Sequence, residues 1–99
     1  MSRFVLTPAA RADLEELHDF IYLDSPAAAA RVRGALRNAM RRLAANPHLG
    51  HLRQDLADEP LRFWQVYSYL VIYRLDTNPL QVVRVLHASR DVRSLLQEE

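Results

Sequence analysis

The sequence predicts an α+β domain in which an N-terminal helical hairpin packs on one face of a four-stranded antiparallel sheet. The expected order is β-α-α-β-β-β, with a short helix after the last strand. Two helix starts, Thr7-Pro8 and Ser25-Pro26, indicate the hairpin, because each places a capping hydroxyl before a proline at the first helical position. Three runs rich in Val, Ile and aromatic residues follow between Leu61 and His87 and indicate the sheet. With 99 residues, 49% of them hydrophobic, the chain is expected to form one domain over residues 1–99.

The first half of the chain predicts one strand and two helices. Arg3–Leu6 is a short β-type run that ends at Thr7-Pro8, and the second helix is predicted from Pro26 to Ala45, where Asn46-Pro47 ends it. In the first helix, one apolar stripe recurs at three- and four-residue spacing and acids occupy the predicted outer face. The stripe comprises Ala10, Leu14, Leu17 and Ile21, and the acids are Asp13, Glu15, Glu16 and Asp19.

The second half predicts an irregular loop or a short extra strand over residues 48–60, then a three-stranded meander broken at Tyr67-Ser68 and at 76–79. The first strand of the chain is expected to pair antiparallel with the first strand of the meander. The last strand is apolar on both faces, so each face needs a cover, and residues 91–97 could cover one of them. Simple alternation predicts Val82, Arg84 and Leu86 on one face and Val83, Val85 and His87 on the other.

Composition narrows the class of protein. The formal net charge is +1, and all 13 basic residues are arginine, which indicates either a high-GC genome or a surface suited to carboxylate or phosphate partners. The chain has no cysteine, so disulfides and thiolate metal sites are excluded. No run approaches the roughly 20 apolar residues of a membrane span and no signal peptide is recognised, so a cytoplasmic protein with no membrane contact is expected.

Arginine and aromatic residues mark the candidate binding surfaces. The second helix carries five arginines and no acid, and Arg33, Arg37 and Arg41 share one arc, which is either a solvated face or a site for an acidic peptide. Of Phe63 and Trp64, the residue that points inward is expected in the core, and the other is expected to anchor a partner.

His87 with its neighbouring arginines is the candidate chemical centre. It is either a nuclease base or a histidine that only ends a strand. Asp91 is expected to cap the last helix. His48-x-x-His51 lacks further ligands nearby in the sequence, so we expect no metal and no cofactor.

Several segments, in this order and spacing, resemble the ParE branch of the RelE/ParE superfamily of bacterial type II toxin–antitoxin toxins, also known as plasmid stabilisation proteins. The resemblance covers nearly the whole chain. The segments are Leu6-Thr7-Pro8-Ala9-Ala10-x-x-Asp13-Leu14, Asn46-Pro47-x-x-Gly50, Arg62-Phe63-Trp64, Tyr69-Leu70-Val71-Ile72-Tyr73-Arg74 and Arg84-Val85-Leu86-His87-x-x-Arg90-Asp91.

The resemblance implies a growth-inhibiting toxin that a cognate ParD-like antitoxin neutralises in a hetero-oligomeric complex. DNA gyrase is the expected target, without direct sequence-specific DNA binding by this chain. The alternative is a RelE-type, ribosome-dependent mRNA endoribonuclease with His87 as its base, although the absence of lysine departs from that pattern. A third reading is a toxin fold that has lost toxicity and persists as a binding partner. The protein is therefore not expected to be an enzyme unless it is that nuclease. Expected target-binding residues are Trp64, Arg84, His87 and Arg90, and expected antitoxin-binding residues are Arg33, Arg37, Arg41, Arg62 and Tyr73.

Overall fold

The computed structural model describes residues 3–98 and confirms the α+β class. The elements run in the predicted order with one short strand added before the meander. They are β1 (Phe4–Leu6), α1 (Pro8–Asp24), α2 (Pro26–Ala45), a 3₁₀ turn (Pro47–Leu49), β2 (His51–Leu52), β3 (Leu61–Val66), β4 (Tyr69–Arg74), β5 (Leu80–His87) and α3 (Val92–Gln97).

The sheet has five strands in the order β1-β5-β4-β3-β2, and β1 lies parallel to β5. The predictions of four strands, all antiparallel, and of β1 beside β3 are therefore wrong. The reason is β2, which pairs antiparallel with β3 and adds one reversal to the chain. β3 consequently runs in the same direction as β1, and β2 occupies its outer edge, so β1 does not pair with β3 and instead joins the sheet at β5.

Local capping explains where the helices begin, as predicted. The Thr7 hydroxyl accepts a hydrogen bond from the Ala10 amide at 3.1 Å, and the Ser25 hydroxyl accepts one from the Ala28 amide at 3.1 Å. Ser25 ends α1 and also begins α2, which keeps the hairpin tight. The Asp91 carboxylate caps α3 by accepting from the Ser94 amide. Within residues 3–98, no helix is long and apolar enough to cross a membrane.

The sheet separates two apolar clusters. The helix-side core lies between the sheet and the α1–α2 hairpin, and the α3-side core lies on the opposite face, covered by α3 and by part of the 53–60 loop. The buried members of the helix-side core are Ala10, Leu36, Met40, Leu43, Val71, Tyr73, Leu80, Val82 and Val85. Those of the α3-side core are Leu61, Phe63, Leu70, Ile72, Leu86 and Val92.

A β-bulge in β5 changes which of its residues share a face. Tyr73 pairs with Val82 and Ile72 pairs with Arg84, so Val83 is an extra residue on β5. Beyond the bulge the alternation is reversed. Val85 therefore joins Val82 in the helix-side core, whereas Leu86 lies in the α3-side core with Val83 packed against it. The predicted faces of β5 are thus wrong, because simple alternation assumes an uninterrupted two-residue repeat.

Candidate functional site

A buried ion pair joins α1 to β5. Arg84 donates from Nε to Asp13 Oδ2 at 2.7 Å and from Nη2 to Asp13 Oδ1 at 2.8 Å. The Val85 amide donates to the same Oδ2 at 3.0 Å. Asp13 is only 7% exposed, so its predicted place on the outer face of α1 is wrong. The Arg84 side chain is 13% exposed and its guanidinium faces this carboxylate, so Arg84 contributes mainly to the structure of the site.

Side chains from the start of α1 continue the edge of the sheet where β1 stops. β1 ends at Leu6, opposite Val82, but β5 extends to His87. Beyond that point the Val83 carbonyl accepts from the Thr7 hydroxyl at 2.6 Å, and the Val85 amide donates to Asp13. Thr7 and Asp13 therefore pair backbone groups at the bulge that the short strand β1 does not reach.

The surroundings of His87 determine which of its ring nitrogens can donate. The Ser89 amide donates to His87 Nδ1 at 3.1 Å, and the Ser89 hydroxyl lies 2.7 Å from the same nitrogen. Because a backbone amide can only donate, Nδ1 must be the acceptor, and the neutral ring carries its hydrogen on Nε2. The Tyr69 ring packs edge-on against the imidazole, with 5.3 Å between ring centroids. His87 is thus held as a hydrogen-bond donor.

His87 lines a cleft of about 410 Å³ between α1 and the ends of β4 and β5, which we call the α1–β5 cleft. Phe20 stands at its rim with 75% of its surface exposed. Sequence reasoning missed Phe20, although an aromatic residue off the apolar stripe of α1 was an available signal. The cleft is lined by Asp13, Glu16, Leu17, Phe20, Tyr69, Val85, Leu86, His87, Ser89 and Arg90. The structure therefore places His87 and Arg90 in the same cleft.

Trp64 lies elsewhere, on the helix side of β3 near the other edge of the sheet. Phe63 is buried in the α3-side core, and Trp64 is the half-buried residue of the pair. Its indole stacks on His51, with ring centroids 6.1 Å apart, and the Arg42 guanidinium lies 5.7 Å from its centroid. Trp64 does not line the α1–β5 cleft, so the four predicted target residues do not form one continuous site.

Tyr73 is fully buried and therefore cannot contact an antitoxin in this structure, which corrects its predicted role. Its hydroxyl accepts from the Gly50 amide at 2.9 Å and donates to the Pro47 carbonyl. Burial raises the pKa of the Tyr73 phenol, whereas the Gly50 amide and the charge of Arg62 partly oppose that rise. Tyr73 thus fixes the loop between α2 and β2.

Arg62 supports the same loop from the side. Its Nη1 donates to the Gly50 carbonyl at 2.7 Å, and its buried Nε has no hydrogen-bond partner among residues 3–98. Arg62 is half-buried, so part of its side chain is still accessible to a partner.

A second cleft of about 530 Å³ lies between α1, α2 and β1, and we call it the α1–α2 cleft. Its floor is apolar, and Arg11, Arg33 and Arg37 stand on its rim with Glu15 and Asp19. Arg41, also predicted to bind the antitoxin, is exposed on α2 but does not line this cleft. In the part of the chain that the structure describes, no α2 arginine forms an ion pair with a carboxylate.

The open edge of the sheet borders this cleft. The Leu80 amide donates to the Arg3 carbonyl, and the Thr7 amide donates to the Val82 carbonyl. Because backbone groups alternate along a strand, the amides and carbonyls of Phe4 and Leu6 face away from β5, towards the open edge. Their side chains line the α1–α2 cleft, so an apolar groove and a strand edge lie side by side.

The α1–β5 cleft presents few carboxylate groups. Asp13 is engaged by Arg84, which leaves Glu16 as the other carboxylate lining it. Within residues 3–98, no three histidine or carboxylate side chains are grouped as metal ligands would be. The cleft therefore offers a donor at His87 Nε2, a cation at Arg90 and an apolar surface at Phe20.

Comparisons with known proteins agree with this architecture. The family described as "ParE toxin of type II toxin-antitoxin system, parDE" matches residues 4–92. "Toxin ParE1" of Mycobacterium tuberculosis (strain H37Rv) is 35% identical over 96 residues, which cover 92% of this chain and 94% of that protein. "Toxin RelE2" of Caulobacter vibrioides is 33% identical over 90 residues, covering 91% and 99%. The solved structure titled "Chromosomal ParDE TA system from P. aeruginosa" has the same fold, with a TM-score of 0.69 at 20% identity, covering 88% of this chain and 96% of that one.

Proposed function

The chain belongs to the ParE toxin family of type II toxin–antitoxin systems, and on this basis we propose that it inhibits bacterial growth by binding DNA gyrase and is neutralised by a cognate ParD-like antitoxin. It is a toxin of the RelE/ParE superfamily, and its relatives include one named ParE1 and one named RelE2. The choice between gyrase binding and RNA cleavage therefore depends on the site itself.

The observation that favours binding is the hydrogen bonding of His87. A general base in RNA cleavage needs a free lone pair within reach of the 2′-hydroxyl. In neutral His87 that lone pair is on Nδ1, where it already accepts from the Ser89 amide. The nitrogen that remains available is a donor, so His87 is suited to hold an acceptor on a target protein rather than to remove a proton.

The target-contact surface we propose is the α1–β5 cleft. Arg90 provides an exposed cation, His87 provides a donor, and Phe20 provides an apolar anchor of the kind that dominates protein interfaces. Arg84 acts through Asp13 and not by direct contact. Trp64 is retained as a target-binding candidate on a separate patch beside Arg42 and His51.

The antitoxin surface we propose is the α1–α2 cleft together with the open edge of β1. An extended segment could pair with the free backbone groups of Phe4 and Leu6, and its apolar side chains could enter the cleft. Arg33 and Arg37 on the rim, with Arg41 beyond it, would attract acidic residues of that segment. Arg62 is retained as a further contact at the opposite edge of the sheet.

We also propose a cytoplasmic location, because gyrase and the ribosome, the two candidate targets, are found there. A hetero-oligomeric complex with the antitoxin is expected to be the resting form. Produced without its antitoxin, the protein should be poorly soluble or toxic to the host. High-yield production of a harmless, monodisperse monomer would contradict the proposal.

The alternative is a RelE-type endoribonuclease, and the observation that favours it is the similarity to the RelE2 toxin. His87→Gln separates the two functions, since glutamine retains a donor near Nε2 but cannot exchange protons near neutral pH. Purified variants would be assayed for inhibition of gyrase supercoiling and for cleavage of mRNA on ribosomes.

On the gyrase hypothesis, His87→Gln keeps most of the inhibition. Arg90→Ala loses at least about tenfold, because loss of a charged contact buried on binding typically costs about 2–5 kcal/mol. Neither the wild type nor a variant should cut mRNA. If the wild type cuts mRNA on ribosomes and His87→Gln abolishes the cutting, the nuclease function is correct.

A further inference from the structure

We propose that Asp13 is a positioning residue for the target-contact surface: by binding Arg84 and the Val85 amide, it holds the bulge of β5 that turns His87 into the α1–β5 cleft. The functional part of this inference rests on the proposed function, in which His87 contacts the target. The structural part concerns only the orientation of His87 and can be tested separately.

The first step is the reversal of alternation at the bulge. Val82 faces the helix-side core, and in an uninterrupted strand Arg84 and Leu86 would share that face. His87 would then lie on the opposite face, beside the α3-side core. Because Val83 is an extra residue, Val85 and His87 face the α1–α2 hairpin and Leu86 is buried with α3. One inserted residue therefore decides whether a histidine or a leucine faces this cleft.

The second step concerns what stabilises the bulge. A bulge leaves backbone groups outside the regular ladder, and they need other partners when they are buried. On the β1 side of β5, these groups are the Val83 carbonyl and the Val85 amide, and their partners are Thr7 and Asp13. Asp13 also binds the side chain of Arg84, the residue between them in the chain. The carboxylate thus contacts the bulged segment through three donors.

The third step is the need for a carboxylate at this position. Two oxygens with free lone pairs can accept all three hydrogen bonds at once. Asparagine has a similar shape but presents an amide NH₂ to the guanidinium, so it cannot serve Arg84 at both nitrogens. Glutamate keeps the charge but adds one methylene, which moves the oxygens relative to the Val85 amide.

The test of position uses NMR on the full chain with ¹⁵N-labelled histidine. The wild type should show contacts between the Tyr69 and His87 rings and a ring ¹⁵N pattern with the hydrogen on Nε2. In Asp13→Asn, the ring contacts should weaken or vanish and the Val85 amide should exchange faster. Leu95→Ala, which alters α3 packing on the other face, is the destabilised control and should keep the ring contacts.

Retention of the Tyr69–His87 contacts and of Val85 protection in folded Asp13→Asn would overturn the positioning role. If Asp13→Asn does not fold, Asp13→Glu replaces it, because its preserved charge still pairs with Arg84. The same loss of Val85 protection and of ring contacts is expected there. An unchanged spectrum of folded Asp13→Glu would be equally decisive against the proposal.

The functional test is a double-mutant cycle of gyrase inhibition. Asp13→Asn and His87→Ala should each weaken inhibition by about tenfold, and the double variant should be no weaker than either, because Asp13 acts through His87. If the loss of inhibition in the double variant equals the product of the two single losses, Asp13 acts by another route. If His87→Ala leaves inhibition unchanged, the proposed target surface fails, and the NMR result still decides whether Asp13 positions His87.

Discussion

Replacing Thr7 with valine should destabilise the fold more than the loss of an ordinary helix cap. The Thr7 hydroxyl has two roles in the structure. It accepts from the Ala10 amide at the start of α1, and it donates to the Val83 carbonyl at the bulge of β5. Valine has nearly the same shape but can do neither, so the substitution isolates the hydroxyl group.

The magnitude follows from these two bonds. Loss of a threonine cap costs about 0.5–2 kcal/mol, and a buried carbonyl left without a donor costs about 1–3 kcal/mol. Both hydrogen bonds are only partly buried, which places the cost in the lower part of the summed range, so we expect Thr7→Val to lower the free energy of unfolding by about 1.5–3 kcal/mol. Thr7→Ser keeps the hydroxyl and removes one methyl group, so its cost should stay below about 1 kcal/mol.

Urea unfolding followed by tryptophan fluorescence measures both variants, because Trp64 is the only tryptophan and is enclosed by His51 and Arg42. If the valine and serine variants lose the same free energy, the hydroxyl does not support the bulge and this reasoning is refuted. Unchanged stability of Thr7→Val with lost toxicity would instead show that Thr7 contacts the target.

Four further predictions use the same unfolding assay or a binding assay. Gly50→Ala should cost about 1–3 kcal/mol, because a Cβ there would lie 2.8 Å from Tyr73 Cε1. Gly34→Ala should stabilise the protein by up to about 1 kcal/mol, because Gly34 lies in a helix and an added Cβ would meet nothing within 4 Å. If both glycine variants change the free energy of unfolding in the same direction, the packing argument is contradicted. The pKa of Tyr73 is raised in the folded protein. The free energy of unfolding should therefore be constant below the ordinary tyrosine pKa of about 10 and should fall as the pH rises through the raised pKa. Tyr73→Phe should flatten that alkaline fall, and an unchanged slope would assign it to other groups. Arg33→Glu with Arg37→Glu should weaken antitoxin binding at least about tenfold and reduce its salt dependence, whereas Arg31→Glu, away from the α1–α2 cleft, should have a smaller effect.

Helix starts and the order of the elements were predictable because their causes are local. A hydroxyl before a proline caps a helix whatever surrounds it, and both such sites do so here. The pairing of β1 was not predictable, because it depends on β2, a strand of two residues whose sequence, His51-Leu52, has no distinctive pattern. A single extra reversal of the chain was enough to move β1 to the other edge of the sheet.

The residues of the α1–β5 cleft were predictable only where they lie close together in the sequence. His87 and Arg90 lie close together in the chain and both line the α1–β5 cleft. The sequence predicts Asp13 in solvent, because an acid on a helix is usually exposed and its partner Arg84 is 71 residues away. The sequence does not reveal the burial of Tyr73, because the alternation of β4 does not show which of its faces is covered, and both faces are covered.

The bulge links two segments of sequence that carry the family resemblance. Thr7 and Asp13 come from the first segment, and Arg84 and His87 come from the last. Asp13 binds Arg84, and Thr7 and Asp13 each hydrogen-bond a backbone group at the bulge. Alone, the Arg84-Val85-Leu86-His87 segment predicts the wrong face for its histidine, because the strand repeat cannot reveal an extra residue. The first segment provides the groups that accommodate that residue. The orientation of His87 is therefore encoded jointly by the two segments, and a substitution of Asp13 in α1 should alter the target surface through the orientation of His87.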